Sequence, residues 1–153
     1  MEHYFAPCPR GLSGVLADEL TALGATTAHA QEAGVAFDGD KALGYMANLH
    51  SRMASRILQR VAHFPYANEQ QIYDAAAMLA WPSWFDVSRT IKVEINAHRC
   101  PLKSLDFITL RVKDAVCDKF REQVDLRPSV DARDPDIRIH VFLDATHASL
   151  YLD

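Results

Sequence analysis

Arginine and lysine side chains in the second half of the chain are the residues whose type and spacing indicate a chemistry, because their cationic groups bind phosphates. Arg99 and Lys103 flank the segment that leads into a long amphipathic helix, where free backbone N–H groups add partial positive charge. Lys92, Arg138 and His140 fall on the polar side of two predicted strands. Two further arginines bracket the loop before the second of those strands. The predicted phosphate-binding set is Lys92, Arg99, Lys103, Arg127, Arg133, Arg138 and His140.

The overall charge limits how such a site can work. The chain has 153 residues, with 16 Lys and Arg against 20 Asp and Glu and a net charge of −4. Bulk attraction to a polyanion is therefore excluded, and a local cluster of cations must supply any affinity for nucleic acid. A separate group, Arg52, Arg56 and Arg60, is expected to serve the contact between two domains instead.

No catalytic residue and no metal ligand is predicted in this chain. Gly11-Leu12-Ser13-Gly14 has too few glycines to cradle a phosphate, and its pattern predicts a turn into a helix. Asp134-Pro135-Asp136 is expected to shape a turn through hydrogen bonds to the backbone. Three widely spaced cysteines, Cys8, Cys100 and Cys117, indicate reduced thiols rather than a disulfide framework or a zinc site.

The sequence contains no apolar run of about 20 residues, the length that a membrane helix needs. Its first residues lack the basic and apolar regions of a signal peptide. We therefore expect a cytoplasmic protein with no membrane partner.

The first 65 residues predict a βαββαβ order, which is ferredoxin-like. Leucines recur at helical spacing between residues 12 and 23, and Asp40 is a predicted N-cap for the second helix. The predicted strands cover residues 4–7, 27–31, 35–37 and 55–64.

Residues 66–153 predict a second α/β domain with a mixed sheet. Helices are expected at residues 69–79, from Trp81 and at 104–123, with strands at 90–97, 137–143 and 148–152. The helical crossover should make the first two strands parallel, and a hairpin at residues 144–146 should make the last pair antiparallel. Trp81 and Trp84 are expected to pack against the core. The long helix should bury one apolar stripe, Leu105, Ile108, Val112, Ala115, Val116 and Phe120.

Several stretches resemble known families. Residues 111–120, Arg127-Pro128-Ser129-Val130-Asp131 and the strand opening at residues 134–139 resemble the core of a THUMP domain. Residues 5–12, 34–40 and 51–57 resemble the front half of the THUMP-containing guanine-N2 methyltransferases of large-subunit (23S) ribosomal RNA, often described as N6-adenine-specific DNA methylases. The likeness extends over essentially the whole chain.

The resemblance implies an α+β fold, with a ferredoxin-like domain at residues 1–65 and a THUMP domain at residues 66–153. It implies that the chain binds RNA, with large-subunit rRNA as the expected partner and no DNA. Guanine methylation would belong to a methyltransferase domain in cis beyond Asp153, with S-adenosylmethionine as the cofactor of the full-length enzyme and no cofactor in this fragment.

Three alternatives stay open from the sequence. The chain could be the equivalent fragment of a THUMP enzyme that acts on tRNA. It could be a ferredoxin-like module that binds a metabolite or forms a dimer, which the acidic net charge allows. It could also be a small acylphosphatase-like hydrolase that uses Arg10.

Overall fold

The structure, a computed structural model, describes residues 1–31, 33–51, 54 and 56–153. This part of the chain divides into two compact units, Met1–Val61 together with Asp153, and Ala62–Leu152. The elements are β1 (Glu2–Pro7), α1 (Ser13–Ala22), β2 (Thr27–Ala30), β3 (Gly34–Gly39), α2 (Lys41–His50), β4 (Leu58–Pro65), α3 (Glu69–Ala77), α4 (Trp81–Trp84), β5 (Ile91–Ala97), α5 (Leu105–Val124), β6 (Ile137–Leu143) and β7 (His147–Leu152).

The first unit has the predicted βαββαβ order, with neighbouring strands in the order β2-β3-β1-β4. Its strands pair antiparallel, and Tyr4 stacks on Phe37 with ring centroids 5.1 Å apart. The Asp40 side chain accepts a hydrogen bond of 2.7 Å from the Leu43 backbone N–H, which confirms the predicted N-cap. The last strand begins at Leu58, later than predicted, and the expected starting residue Ser55 lies outside the described residues.

The second unit contains the strand order β4-β7-β6-β5, to which β4 contributes from Ala62 onward. β5 and β6 are parallel and β6 and β7 are antiparallel, as predicted, so the sheet is mixed. The predicted fold class is therefore confirmed. Asp144 forms the turn between β6 and β7 by accepting hydrogen bonds from the N–H groups of Thr146 and His147, at 2.8 and 2.6 Å.

Within the second unit, one face of the sheet is apolar because alternate strand residues point toward the helices. Ile91, Ile139 and Val141 are buried, as are Ile108, Val112 and Phe120 of α5. One detail of the predicted pattern is wrong, because Leu105 lies in the first turn of α5 and is 36% exposed. On the other face of the sheet, Ser149 is 7% exposed, and its hydroxyl lies 2.8 Å from the His63 ring nitrogen.

Trp81 is fully buried and its indole N–H donates to the Ala76 carbonyl at 2.7 Å. This confirms the predicted packing role of Trp81. Trp84 meets the Trp81 ring edge-on but is 41% exposed, so the prediction holds for it only in part.

The long helix separates the two loops that carry predicted cations. Ser104 caps its start by accepting a 3.1 Å hydrogen bond from the Phe107 N–H, and Asp125, with φ 58°, ends it. Twenty helical residues extend about 30 Å. The segment before α5 and the segment after it therefore lie at opposite ends of the helix.

No helix in the described ranges is long and apolar enough to cross a membrane.

Candidate nucleic-acid interface

The seven predicted residues occupy three places in the second unit. Lys92, Arg138 and His140 share the sheet face opposite α5, which follows from the strand alternation. Arg99 and Lys103 belong to the segment between β5 and α5, which we call the 98–104 loop. Arg127 and Arg133 follow the far end of α5. The structure thus divides the predicted set, and helix length keeps the last two residues away from the 98–104 loop.

The cations of the sheet face are arranged around one carboxylate, and we call Lys92, Glu94, Arg138 and His140 the Glu94 cluster. Arg138 Nη1 lies 2.6 Å from Glu94 Oε1, and Lys92 Nζ lies 3.4 Å from the same oxygen. His140 Nδ1 lies 3.5 Å from Glu94 Oε2. Parallel register places Lys92 opposite Arg138 and Glu94 opposite His140, which explains why these side chains meet.

The protonation of Glu94 follows from this arrangement. Partial burial favours the neutral acid, but His140, Lys92 and Arg138 outweigh it and hold the pKa of Glu94 below its usual range. The carboxylate is therefore ionised at neutral pH. It cancels one of the two permanent positive charges beside it.

Arg99 and Lys103 are exposed, and neither has an ion-pair partner among the described residues. Arg99 has a φ of 60°, the left-handed conformation that residues other than glycine adopt infrequently. Among the described residues, the other non-glycine residue with positive φ is Asp125, which lies at a helix end. Arg99 lies instead in the bend that follows β5, and residues in sparsely populated backbone conformations are concentrated at functional sites.

Hydrogen bonds hold the 98–104 loop at its first residues. The His98 N–H donates to the Leu143 carbonyl at 2.8 Å. The Tyr66 hydroxyl donates to the Asp144 carbonyl at 2.5 Å and lies 3.2 Å from Cys100 Sγ. Burial, followed by the neighbouring Cys100 and Asp144, raises the pKa of Tyr66. The tyrosine therefore stays protonated and links the loop to the β6–β7 turn.

The first N–H groups of α5, which have no partner within the helix, lie next to this loop, as predicted from the sequence. One acidic residue, Asp106, stands in the first turn and offsets part of the positive end of the helix dipole. The attraction for a phosphate at this point therefore depends mainly on the charges of Arg99 and Lys103.

Of the two predicted cations after α5, only Arg127 has an ion-pair partner among the described residues. Arg127 Nη2 lies 3.8 Å from Asp114 Oδ1, an oxygen that also pairs with Lys113 at 2.9 Å. The backbone N–H of Arg133 donates to the Asp131 carboxylate at 3.0 Å, so Asp131 shapes this loop, whereas the Arg133 side chain is exposed. Within the predicted Asp134-Pro135-Asp136 turn, Asp136 bonds instead to the Thr90 N–H at 3.0 Å, across to the start of β5.

The remaining predicted features have structural roles or fall outside the site. Leu12 N–H bonds to the Pro9 carbonyl at 3.2 Å and Gly11 has φ 89°, which confirms the predicted turn before α1. Arg56 pairs with Asp153 at 3.4 Å within the first unit, and Arg52 lies outside the described residues. All three cysteines are free, and Cys8 and Cys117 are buried.

Three residues that bear on this interface were not predicted from the sequence. Glu94 is one of them, although the alternation of β5 puts Lys92 and Glu94 on the same face. Another is Phe142, an aromatic residue at a polar position of β6, which is 43% exposed. Tyr66 could not be found from its neighbours in sequence, because its partners lie 34 and 78 residues away.

Comparison with known proteins assigns a family to each part of the chain. The model of the THUMP domain matches residues 66–153, and the model of the RlmL ferredoxin-like domain matches residues 3–58. The Ribosomal RNA large subunit methyltransferase K/L of Syntrophotalea carbinolica is 40% identical over 98% of this chain, which corresponds to 21% of that protein. The chain thus spans about a fifth of the length of the curated relatives it matches.

Solved structures with the same fold include a Listeria monocytogenes protein described as a predicted N6-adenine-specific DNA methylase. It superposes with a TM-score of 0.84 at 20% identity, over 99% of this chain and 40% of that one. A 4-thiouridine synthetase solved as an RNA complex with bound ATP gives a TM-score of 0.65 at 14% identity, over 100% of this chain and 41% of its own.

Proposed function

Because the chain belongs to the THUMP domain family, we propose that its second unit binds RNA through the 98–104 loop. In the whole protein this would position structured large-subunit rRNA for methylation of a guanine by a methyltransferase domain in cis. The observation that carries the proposal is the pair of exposed cations, Arg99 and Lys103, without an ion-pair partner among the described residues.

The loop carries two cations without an ion-pair partner among the described residues, more than either of the other two groups. An unpaired cation can exchange its counterion for a phosphate, whereas a paired one must first give up its carboxylate. Lys92 and Arg138 share Glu94, Arg127 is paired with Asp114, and Arg133 is the single unpaired cation after α5 among the described residues. We infer that these paired residues strengthen binding after the loop has engaged the RNA.

The relatives support the proposed substrate and reaction. The curated relatives are named as methyltransferases of large-subunit ribosomal RNA. One structural relative is a 4-thiouridine synthetase in complex with RNA, so this fold is compatible with RNA recognition in another enzyme class. S-adenosylmethionine would supply the methyl group in the whole protein.

We propose that the described residues of this chain do not hold the methyl donor. The glycine nearest to a strand-to-helix turn, Gly11, serves the reversal into α1. We assign the donor no residue among those described, and the role proposed for this chain is recognition alone.

Salt titration tests the RNA-binding role. Fluorescence anisotropy with a labelled fragment of unmodified large-subunit rRNA should show binding that weakens steeply with salt. If about four phosphates are contacted, the logarithm of the affinity should fall with that of the salt concentration at a slope of about −3 to −4. A flat response would contradict a phosphate site and favour the metabolite or dimer alternative.

A charge reversal tests the position of the site. Arg99→Glu combined with Lys103→Glu should weaken binding at least about tenfold and reduce the salt slope by about 2, because two phosphate contacts are lost. The control is Lys41→Glu, an exposed residue at the start of α2 in the first unit. Circular dichroism must show both variants folded. An equal loss in the control would mean that the effect is bulk charge.

A further inference from the structure

The sheet face of the second unit that lies opposite α5 carries an exposed aromatic ring among polar side chains. Phe142 is 43% exposed, although its neighbours along β6 that point to the other face, Val141 and Leu143, are buried. Register places Phe142 beside Asn96 on β5 and beside Ser149 on β7. We call Asn96 and Phe142, together with the Glu94 cluster, the open sheet face.

A ligand that covered the exposed part of the Phe142 ring would gain from its burial. A fully buried ring of this size contributes about 2 to 3 kcal/mol relative to an exposed one. Among the described contacts, Phe142 stacks on no other aromatic ring. A flat, water-accessible ring on a polar sheet is the arrangement on which RNA-binding sheets stack unpaired bases.

The neighbours of Phe142 complement the other parts of a nucleotide. The Asn96 side chain is exposed, with no hydrogen bond to a described residue, and an amide offers both a donor and an acceptor to a base edge. Residues two apart on a strand lie roughly 7 Å apart, so His140 and then Arg138 follow Phe142 toward the other end of β6. Arg99 lies three residues after Asn96, at the opposite end of this row.

We propose that the open sheet face binds an unpaired segment of RNA. One base stacks on Phe142 and is hydrogen-bonded by the Asn96 amide, while Arg99 and the cations of the Glu94 cluster hold the flanking phosphates. This inference rests on the proposed RNA-binding function and specifies the kind of RNA that is bound, a bulge, loop or end.

A paired RNA would not use these groups. In an A-form duplex each base is stacked on its neighbours and the base edges of the major groove lie in a deep, narrow cleft. The ring of Phe142 on a sheet can therefore reach neither the stacked faces of the bases nor their edges in the major groove. The aromatic residue and the amide therefore distinguish single-stranded RNA from duplex, whereas the cations bind both.

The test compares two probes on the full 153-residue chain. One is a single-stranded RNA of about twelve nucleotides, within the range of single-strand site sizes, with 2-aminopurine at its centre. The other is the same strand annealed to its complement. Anisotropy measures affinity, and quenching of 2-aminopurine fluorescence reports stacking of that base directly.

Phe142→Leu removes the ring while keeping an apolar side chain, and it should weaken single-strand binding on the order of 5- to 100-fold. It should also abolish the quenching and leave duplex affinity unchanged. Phe142→Trp should retain both signals because indole also stacks. The matched control is Tyr45→Leu, which removes a 68% exposed ring from the first unit and should change neither signal.

The outcomes separate this inference from the proposed function. Suppose that Phe142→Leu changes neither affinity nor quenching while the Arg99 and Lys103 reversal still weakens binding. The proposal that RNA binds to the open sheet face is then wrong, and the proposal that RNA binds to the 98–104 loop is retained. An equal loss for single strand and duplex, or an equal loss in Tyr45→Leu, also overturns it. If the unsubstituted chain binds neither probe, the proposed function fails as well.

Discussion

At the scale of residues, Glu94 decides how much positive charge the sheet face offers to RNA. Its carboxylate lies within 3.5 Å of atoms of Lys92, Arg138 and His140, so the permanent charges of the group sum to +1 instead of +2. Such a carboxylate orders long basic side chains at the cost of their attraction for phosphate. The second unit thus contains two kinds of cation. The side chains of the 98–104 loop have no ion-pair partner among the described residues, whereas those beside Glu94 are ordered and partly neutralised.

Replacement of Glu94 by glutamine should tighten RNA binding. Lys92 and Arg138 would then be free for phosphates, and removing one negative charge at about 4 Å is worth about 1 kcal/mol in water, or roughly fivefold in affinity. The salt slope should become steeper by about 1. Anisotropy at several salt concentrations measures both.

Asp18→Asn is the matched control, since it makes the same change in net charge on an exposed residue of α1 in the first unit. Weaker binding by Glu94→Gln would show that ordering of the cations matters more than their net charge. Equal tightening in both variants would show that the sheet face has no special part in binding.

At the scale of elements, most of the fold could be predicted because each element has a local signal. Asp40 and Ser104 cap their helices by hydrogen bonds within four residues. Alternation predicted β5 and β6, and the helical crossover between them predicted their parallel pairing. The start of β4 was predicted too early because pairing with β1, which lies more than 50 residues away along the chain, begins at Leu58.

The candidate site was predictable as a set of cations and not as an arrangement. The length of α5 and the parallel pairing of β5 with β6 determine which cations are neighbours. These two features do not predict which of the neighbouring side chains form ion pairs in the folded chain. Register could have revealed Lys92 and Glu94 as neighbours of Arg138 and His140. The left-handed conformation of Arg99 and the bond from Tyr66 to Asp144 have no signature in the sequence.

The hydrogen bond from Tyr66 to Asp144 should affect how the free energy of unfolding changes at alkaline pH. Its pKa is raised in the folded chain, so its contribution is fully present below the unfolded tyrosine pKa of about 10 and is lost as pH rises above that value. Tyr66→Phe should cost about 1 to 2 kcal/mol at neutral pH, because the Asp144 carbonyl loses its donor. The difference between the variant and the unsubstituted chain should shrink above about pH 10.

Urea unfolding followed by tryptophan fluorescence, at about pH 8 and about pH 11, measures this difference on both sides of the tyrosine pKa. Tyr45→Phe, at a 68% exposed position, should cost little at either pH. A constant difference between Tyr66→Phe and the unsubstituted chain at both pH values would contradict the proposed hydrogen bond.

At the scale of the whole molecule, an acidic chain is proposed to bind a polyanion. With a net charge of −4, long-range attraction to RNA is absent and encounter is not steered by the overall field. Affinity then depends on a few local cations. Such a module would bind weakly by itself and would gain affinity when joined to a second RNA-binding surface, because the second contact becomes intramolecular.

The chain alone should therefore act as a recognition module without catalysis. Its 153 residues contain no Asn-Pro-Pro-Tyr or Asp-Pro-Pro-Tyr motif. Incubation with radiolabelled S-adenosylmethionine and unmodified large-subunit rRNA should transfer no label above background, whereas the methyltransferase K/L of Syntrophotalea carbinolica serves as the active control. Added in excess, the chain should slow that enzyme by occupying its RNA, and the Arg99 and Lys103 reversal should not. Label transfer by the chain alone would contradict a purely recognising role, and a failure to compete would show that the chain and the enzyme bind different RNA.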